Sequence, residues 1–139
     1  MEESQIDDLS ISSKVASAGI KAQTTCLRII SGNLANADST SEIPGREPYR
    51  RKLVTFRSAL NKEIDADTVK IKRIFNDTTP LKSKYDPSHL GANAEGYVQI
   101  LNVNSLIEMM DMREAQRSYE ANLNVILTSR SMVSKTLYY

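Results

Sequence analysis

A chain of 139 residues, 40% hydrophobic and 25% charged, has room for one domain with appendages, and its net charge of +1 excludes strong bulk attraction to nucleic acid or membrane. Aromatic residues are 6% and tryptophan is absent, so any core is poor in large rings, while the single cysteine, Cys26, excludes an intramolecular disulfide. The charge is segregated: residues 1–45 carry three basic and six acidic groups, 46–84 eleven and five, and 85–139 four and six, so acidic ends flank a basic middle and hint that the termini belong together.

The chain opens MEESQIDDLS, acidic and polar, with no basic stretch followed by an apolar one, and no window approaches 18 apolar residues. This predicts neither a Sec-type signal peptide nor a transmembrane helix. Export from the cytoplasm would then use a route that removes no signal. From about Ser4 to Ala37 the spacing predicts a helix with a seam of Leu9, Ser13, Ala16, Ile20, Gln23, Leu27, Ile30, Leu34 and Ala37, in alternating fours and threes. Glu2, Glu3, Asp7 and Asp8 sit near the start, where the helix dipole favours carboxylates. Gly19 and Gly32 each cost about 1 kcal/mol relative to alanine in a helix interior. They are either weak spots or points where a neighbour packs closely. Cys26 reads as a small apolar residue on a helix face. The turn formers from Asn36 to Ser41 should end the helix.

Between Thr40 and Val103 the period changes, and Pro44-Gly45, Pro48, Asp77 to Pro80, Asp86-Pro87, Gly91 and Gly96 punctuate it. Tyr49 to Phe56, Thr68 to Phe75 and Tyr97 to Val103 are strand candidates. In the second, Val69, Ile71 and Phe75 alternate with Lys70 and Lys72. Ser58 to Asp67 reads as a short helical or loop excursion. Such strands make a small sheet, too small for a large independent core.

The last stretch, Asn104 to Leu137, has no proline or glycine and predicts one continuous helix about 50 Å long. Its seam is Met109, Met112, Gln116, Tyr119, Leu123, Ile126, Arg130, Val133 and Leu137; seven of the nine are apolar or aromatic, which makes the stripe convincing. The expected fold is mainly α with a small β insertion, the two long helices paired as an antiparallel coiled coil. The expected organisation is an N-terminal helix over 1–39, a β-rich middle over 40–103 and a C-terminal helix over 104–139. One stripe per helix leaves Ile11, Val15, Cys26 and Ile29, and Leu106, Met110, Val125 and Leu127, in need of cover. Either the middle folds back over them or other subunits do.

Catalysis finds no support. His89 is the only histidine, so a histidine-based metal site or a cysteine–histidine nucleophilic pair would need Cys26 beside it, which nothing in the sequence indicates, and no phosphate-binding, nucleophile-elbow or zinc-helix motif occurs. His89 reads as a surface or turn-filling residue, and Asp65 and Asp67 as solvated loop. Neither a cofactor nor a small-molecule substrate is expected. Arg50, Arg51 and Lys52 beside Tyr49 and Phe56, with Lys70, Lys72 and Arg73 beside Phe75, could form a basic nucleic-acid surface. The aromatics fall where a small sheet needs its core, which counts against it. An export chaperone or adaptor using the coiled helices is a further alternative.

Three stretches together resemble the flagellar basal-body rod proteins: SGNLANADST (Ser31 to Thr40), YDPSHLGANAEGYVQILNVN (Tyr85 to Asn104) and EMMDMREAQRSYEANLNV (Glu108 to Val125). The NLANxxT element is shared by rod, hook and hook-associated axial proteins, so alone it gives only the superfamily. The YDPxH…ANxxGYV lead-in and the last helix are more specific. The resemblance covers both ends and residues 85–104; the basic middle matches loosely through PYRRK (Pro48 to Lys52). Leu90 and Leu101 stand where the family commonly has proline, and Leu101 would permit strand pairing one residue further.

The resemblance implies a structural subunit of the proximal rod in the flagellar basal body. It implies export unfolded and uncleaved through the flagellar type III apparatus, and stacking with itself and other rod proteins into a helical assembly. That assembly would cross the periplasm and transmit torque. Terminal helices would form an inner coiled core, with the middle facing outward. On this reading Leu9, Ala16, Ile20, Leu27, Ile30, Asn33, Leu34 and Asn36 on the first helix are packing or subunit-interface residues. Met109, Met112, Tyr119, Asn122, Leu123, Ile126, Val133 and Leu137 are their counterparts on the last. Tyr85, Asp86, Pro87, Gly96, Tyr97 and Asn104 form the linker motif. Asn33, Asn36 and Asn122 would cap or bridge backbone groups, or satisfy buried polar groups between helices.

Overall fold

The computed structural model describes residues 1–101 and 103–138. Asn102 of the third expected strand and Tyr139 of the last expected segment lie outside the described residues. Two long helices, α1 (Glu2–Ala35) and α2 (Ser105–Leu137), enclose in sequence two small sheets. β1 (Lys52–Asn61) pairs with β2 (Ala66–Asn76), and β3 (Lys82–Tyr85) with β4 (Tyr97–Ile100).

Each helix end has a chemical cause. Glu2 and Glu3 occupy the first turn of α1. At its other end the Asn36 amide donates to the Gly32 carbonyl at 2.9 Å, and its oxygen accepts from the Ser39 hydroxyl. This satisfies a terminal carbonyl and turns the chain. Asn104 caps α2: its side-chain oxygen accepts from the Leu106 amide at 3.1 Å and the Ile107 amide at 3.5 Å.

Ser58 to Asp67 is not a helical or loop excursion. β1 runs through Asn61, a four-residue turn follows, and β2 begins at Ala66. Asn61 accepts from the Glu63 amide, and Asp65 takes the left-handed φ of 48° that aspartate tolerates. The third expected strand is shorter than its apolar run. β4 stops at Ile100, which pairs with Lys82 on one side and bridges Thr40 on the other, while the next residue, Leu101, is buried. Leucine at 101 therefore adds apolar cover and not a further strand residue. β3, KSKY, is a strand that the sequence reading missed. All four of its residues are exposed, so it carries no apolar signal.

The chain divides into two compact units. The first comprises Met1–Leu27, Thr55–Arg73 and Arg113–Tyr139, and buries Ala16, Ala22, Ile64, Thr68, Ala115 and Ser129. The second comprises Arg28–Val54 and Ile74–Met112, and buries Ile30, Asn33, Val98, Leu101 and Glu108.

Along α1 every residue of the expected seam is buried or half-buried. On α2 the covered line differs. Met112, Tyr119, Ile126 and Val133 are half-buried as expected, but Met109, Gln116, Leu123, Arg130 and Leu137 are exposed. Their places go to Glu108, Ala115, Asn122, Ser129 and Thr136, one residue earlier in each heptad. Apolarity pointed to the large residues, whereas a close helix contact needs small ones. In the first unit a Cβ placed on Gly19 would lie 2.7 Å from the Asn122 amide nitrogen. Gly19 is thus a contact point. Because the obstacle is the end of a side chain, Gly19→Ala is expected to be near neutral: the gain of about 1 kcal/mol in helix propensity offsets the displaced amide. In an Asn122→Ala background the same change should stabilise by about 1 kcal/mol. Urea midpoints of the four chains of this cycle test the coupling.

Candidate functional site

The second unit holds a polar clamp built from the SGNLANADST stretch, the PYRRK stretch and the start of α2. Asn33 and Glu108 are each 1% exposed, the deepest side chains described. The Asn33 amide pairs with the main chain of Lys52 as a neighbouring strand would: its Nδ2 donates to the Lys52 carbonyl at 2.9 Å, and its Oδ1 accepts from the Lys52 amide at 2.9 Å. The Tyr49 hydroxyl also donates to Oδ1, at 3.1 Å. Nδ2 has a second acceptor, Glu108 Oε2, at 3.4 Å. One side chain thereby fixes where β1 begins and where α2 stands.

A buried carboxylate needs a counter-charge. Arg51 supplies it, its Nε donating to Glu108 Oε1. The rest of the guanidinium faces Asp77 at 3.7 Å and Asp111 at 3.8 Å. The Asp77 amide returns to the Arg51 carbonyl at 2.7 Å, closing the hairpin base. Next to it, Arg50 Nη1 donates to the carbonyls of Asp77 at 3.2 Å and Thr79 at 3.3 Å. The Thr79 hydroxyl and amide, with help from Arg51, hold the Asp77 carboxyl below its ordinary range. Burial, and then the charge of Glu108, push the Tyr49 phenol upward. These basic residues are therefore engaged inside the chain.

The YDPSHLGANAEGYV stretch is an ordered loop carried by β3 and β4, in register Tyr85↔Tyr97 to Lys82↔Ile100. The Tyr85 and Tyr97 rings meet edge-on with centroids 5.4 Å apart. The Asp86 amide donates to the Gly96 carbonyl at 2.9 Å, and the Asn93 side chain accepts from the amides of Glu95 and Tyr97. Gly96 has φ +85°, and a Cβ there would lie 2.9 Å from the Tyr85 ring and 3.1 Å from Pro87 Cβ. Within this loop Tyr85 and Tyr97 meet edge to face, Asp86 and Gly96 close the main chain, Pro87 lies beside Gly96, and Asn104 caps α2.

The remaining expected residues are dispersed. Leu9, Val133 and Leu137 line a cleft of about 760 Å³ in the first unit, together with Ile6 and Tyr138. Ala16 and Ile30 are buried; Ile20, Leu27, Leu34, Asn36, Met112, Tyr119, Asn122 and Ile126 are half-buried. Met109 and Leu137 are 58% and 69% exposed, and Leu123 is exposed, so none of the three belongs to a buried seam within the chain. Glu108 and Arg51 were missed as site residues. The signal that could have found Glu108 is the seven-residue repeat of Glu, Ala, Asn, Ser and Thr at 108, 115, 122, 129 and 136. Among the described residues no group of three or more His, Cys, Asp or Glu side chains could hold a metal ion, and no helix is long and apolar enough to cross a membrane.

Comparison with known proteins places these features in a family. Residues 94–137 match the family model described as "Flagellar basal body rod FlgEFG protein C-terminal". The flagellar basal-body rod protein FlgC of Agrobacterium fabrum is 48% identical over 132 residues, covering 95% of each chain. FlgC of Bacillus subtilis is 37% identical, over 88% of this chain and 92% of its own. FlgC of Salmonella typhimurium is likewise 37% identical, over 88% and 91%. Similarity at this level and over this span shows that the chain belongs to the FlgC family of flagellar basal-body rod proteins.

Proposed function

We infer that this chain is a structural subunit of the bacterial flagellar basal-body rod. The observation that carries this is the 48% identity to an FlgC protein over 95% of both chains. The finer reading is that it stacks with itself and with other rod proteins into the helical proximal part of the drive shaft. On that reading it crosses the periplasm, carries torque, and arrives uncleaved through the flagellar type III export apparatus.

The helix contacts support an antiparallel pair at the inner wall of such a tube. In the first unit α1 meets α2 at Gly19 and Asn122, and in the second unit the two helices meet at Asn33 and Glu108. The intramolecular line on α2 combines Glu108, Ala115, Asn122, Ser129 and Thr136 with the half-buried Met112, Tyr119, Ile126 and Val133, while Leu106, Met109, Met110, Leu127 and Met132 stay at least half exposed. Large apolar residues left outside a helix pair suit neighbouring subunits.

Imaging basal bodies from a deletion strain tests the assignment. The rod should be absent beyond the inner-membrane ring, and a complete rod would overturn the reading. Complementation with Leu123→Asp tests the finer part. At 37% exposure the change loses some packing and helix propensity, so folding should weaken by no more than about 1 kcal/mol. Swimming should be lost. Normal motility would count against packing through this face.

A further inference from the structure

The only histidine of the chain sits in the ordered loop with both ring nitrogens engaged. His89 Nδ1 accepts from the Gly91 main-chain amide at 2.9 Å, and Nε2 lies 2.8 Å from Thr40 Oγ1. An amide N–H can only donate, so Nδ1 must keep its lone pair. The ring proton therefore sits on Nε2 and is given to the Thr40 hydroxyl. This arrangement requires neutral imidazole. The loop has no slack at this point, since a Cβ on Gly91 would fall 1.7 Å from the Ser41 carbonyl oxygen. Thr40 also makes the isolated bridge to Ile100. The ring thus joins the loop to the segment that follows α1.

We propose that His89 is a pH-sensitive latch: its neutral ring holds the loop of residues 86–96 against Thr40 and Ser41, and protonation of Nδ1 releases it. A proton taken from solvent converts Nδ1 from acceptor to donor, so it faces the Gly91 N–H donor to donor. The Thr40 contact survives, because Nε2 donates in both states. The ring then turns about Nε2 or the loop moves away. Linkage fixes the sign: the open form binds the extra proton, so the closed loop loses stability as pH falls. The other charged groups facing the ring are Asp38 from beyond α1, Lys82 and Lys84 from β3, and Asp86 of the loop, which line the same 450 Å³ cavity.

The test follows the Gly91 amide and the His89 ring by NMR in the full chain, from about pH 8 to about pH 5. The Gly91 amide shift should move with the midpoint of the ring. Its exchange protection, corrected for the intrinsic pH dependence, should fall about tenfold, as for one lost hydrogen bond. His89→Asn supplies a non-titrating acceptor for the amide two residues on, the usual asparagine turn. Its Gly91 protection should match the native chain at neutral pH and stay flat on acidification. A ring that titrates while the Gly91 amide stays put overturns the proposal. So does an asparagine variant that loses protection equally in acid, which would assign the effect to Asp38 or Asp86.

Discussion

Replacing Asn33 by leucine is expected to destabilise the second unit by about 3–4 kcal/mol. The leucine has similar volume, so packing is not the cause. Four hydrogen bonds go: two to the main chain of Lys52, one from Tyr49 and one to Glu108. At about 1 kcal/mol each, they are a large part of a small domain's stability of about 5–15 kcal/mol. Urea denaturation followed by tyrosine fluorescence measures the loss, and a change under 1 kcal/mol would show that the clamp does not hold the unit. Asn33→Asp sharpens the test. It keeps the acceptor for Lys52 and Tyr49 but loses the donor and sets a carboxylate beside Glu108. Folding then favours the protonated form, raising the folded-state pKa of the new aspartate. The variant should be unstable at neutral pH and regain stability below about pH 4, where the protonated acid again donates. Leucine offers no such rescue.

Gly91→Ala comes second, at about 2–4 kcal/mol. The added Cβ would stand 1.7 Å from the Ser41 carbonyl oxygen and 2.9 Å from its carbon, which are backbone atoms and cannot swing aside. The loop must lift from Ser41, and the His89 bonds to Gly91 and Thr40 go with it. Gly45→Ala is the control. It has φ +78° but open space around it, so it bears only the left-handed backbone cost of about 1–2 kcal/mol. Thermal melts should rank Gly91→Ala clearly below Gly45→Ala. Equal melting temperatures would mean that the loop can be lifted freely.

Much of this fold was legible, for reasons that differ by element. A helix from Asn104 to Leu137 follows from a run free of proline and glycine, and the observed α2 starts one residue later. The start of β1 was less clear, because Lys52 is fixed by the Asn33 amide 19 residues away and not by local propensity. β3 became a strand only by pairing with Tyr97 to Ile100. A lysine-rich tetrapeptide carries no such preference by itself. The covered line of α2 is not legible from apolar bulk, because a close crossing selects the small residues one position earlier in each heptad. Asn33, Asn36 and Asn104 were expected to cap or bridge, or to belong to the linker, and each now has named partners. The role of Glu108 depended on Arg51, a pairing across 57 positions that no local pattern encodes.

The small and polar line along α2 has a mechanical consequence. A greasy seam resists being pulled apart but slides easily, since one leucine substitutes for another. Here an axial slip of α2 would take the Glu108 carboxylate off the Asn33 amide in the second unit, and would take Asn122 out of the notch at Gly19 in the first. Each contact therefore acts as a key, resisting shear along the helix axis where apolar neighbours alone would let it slide.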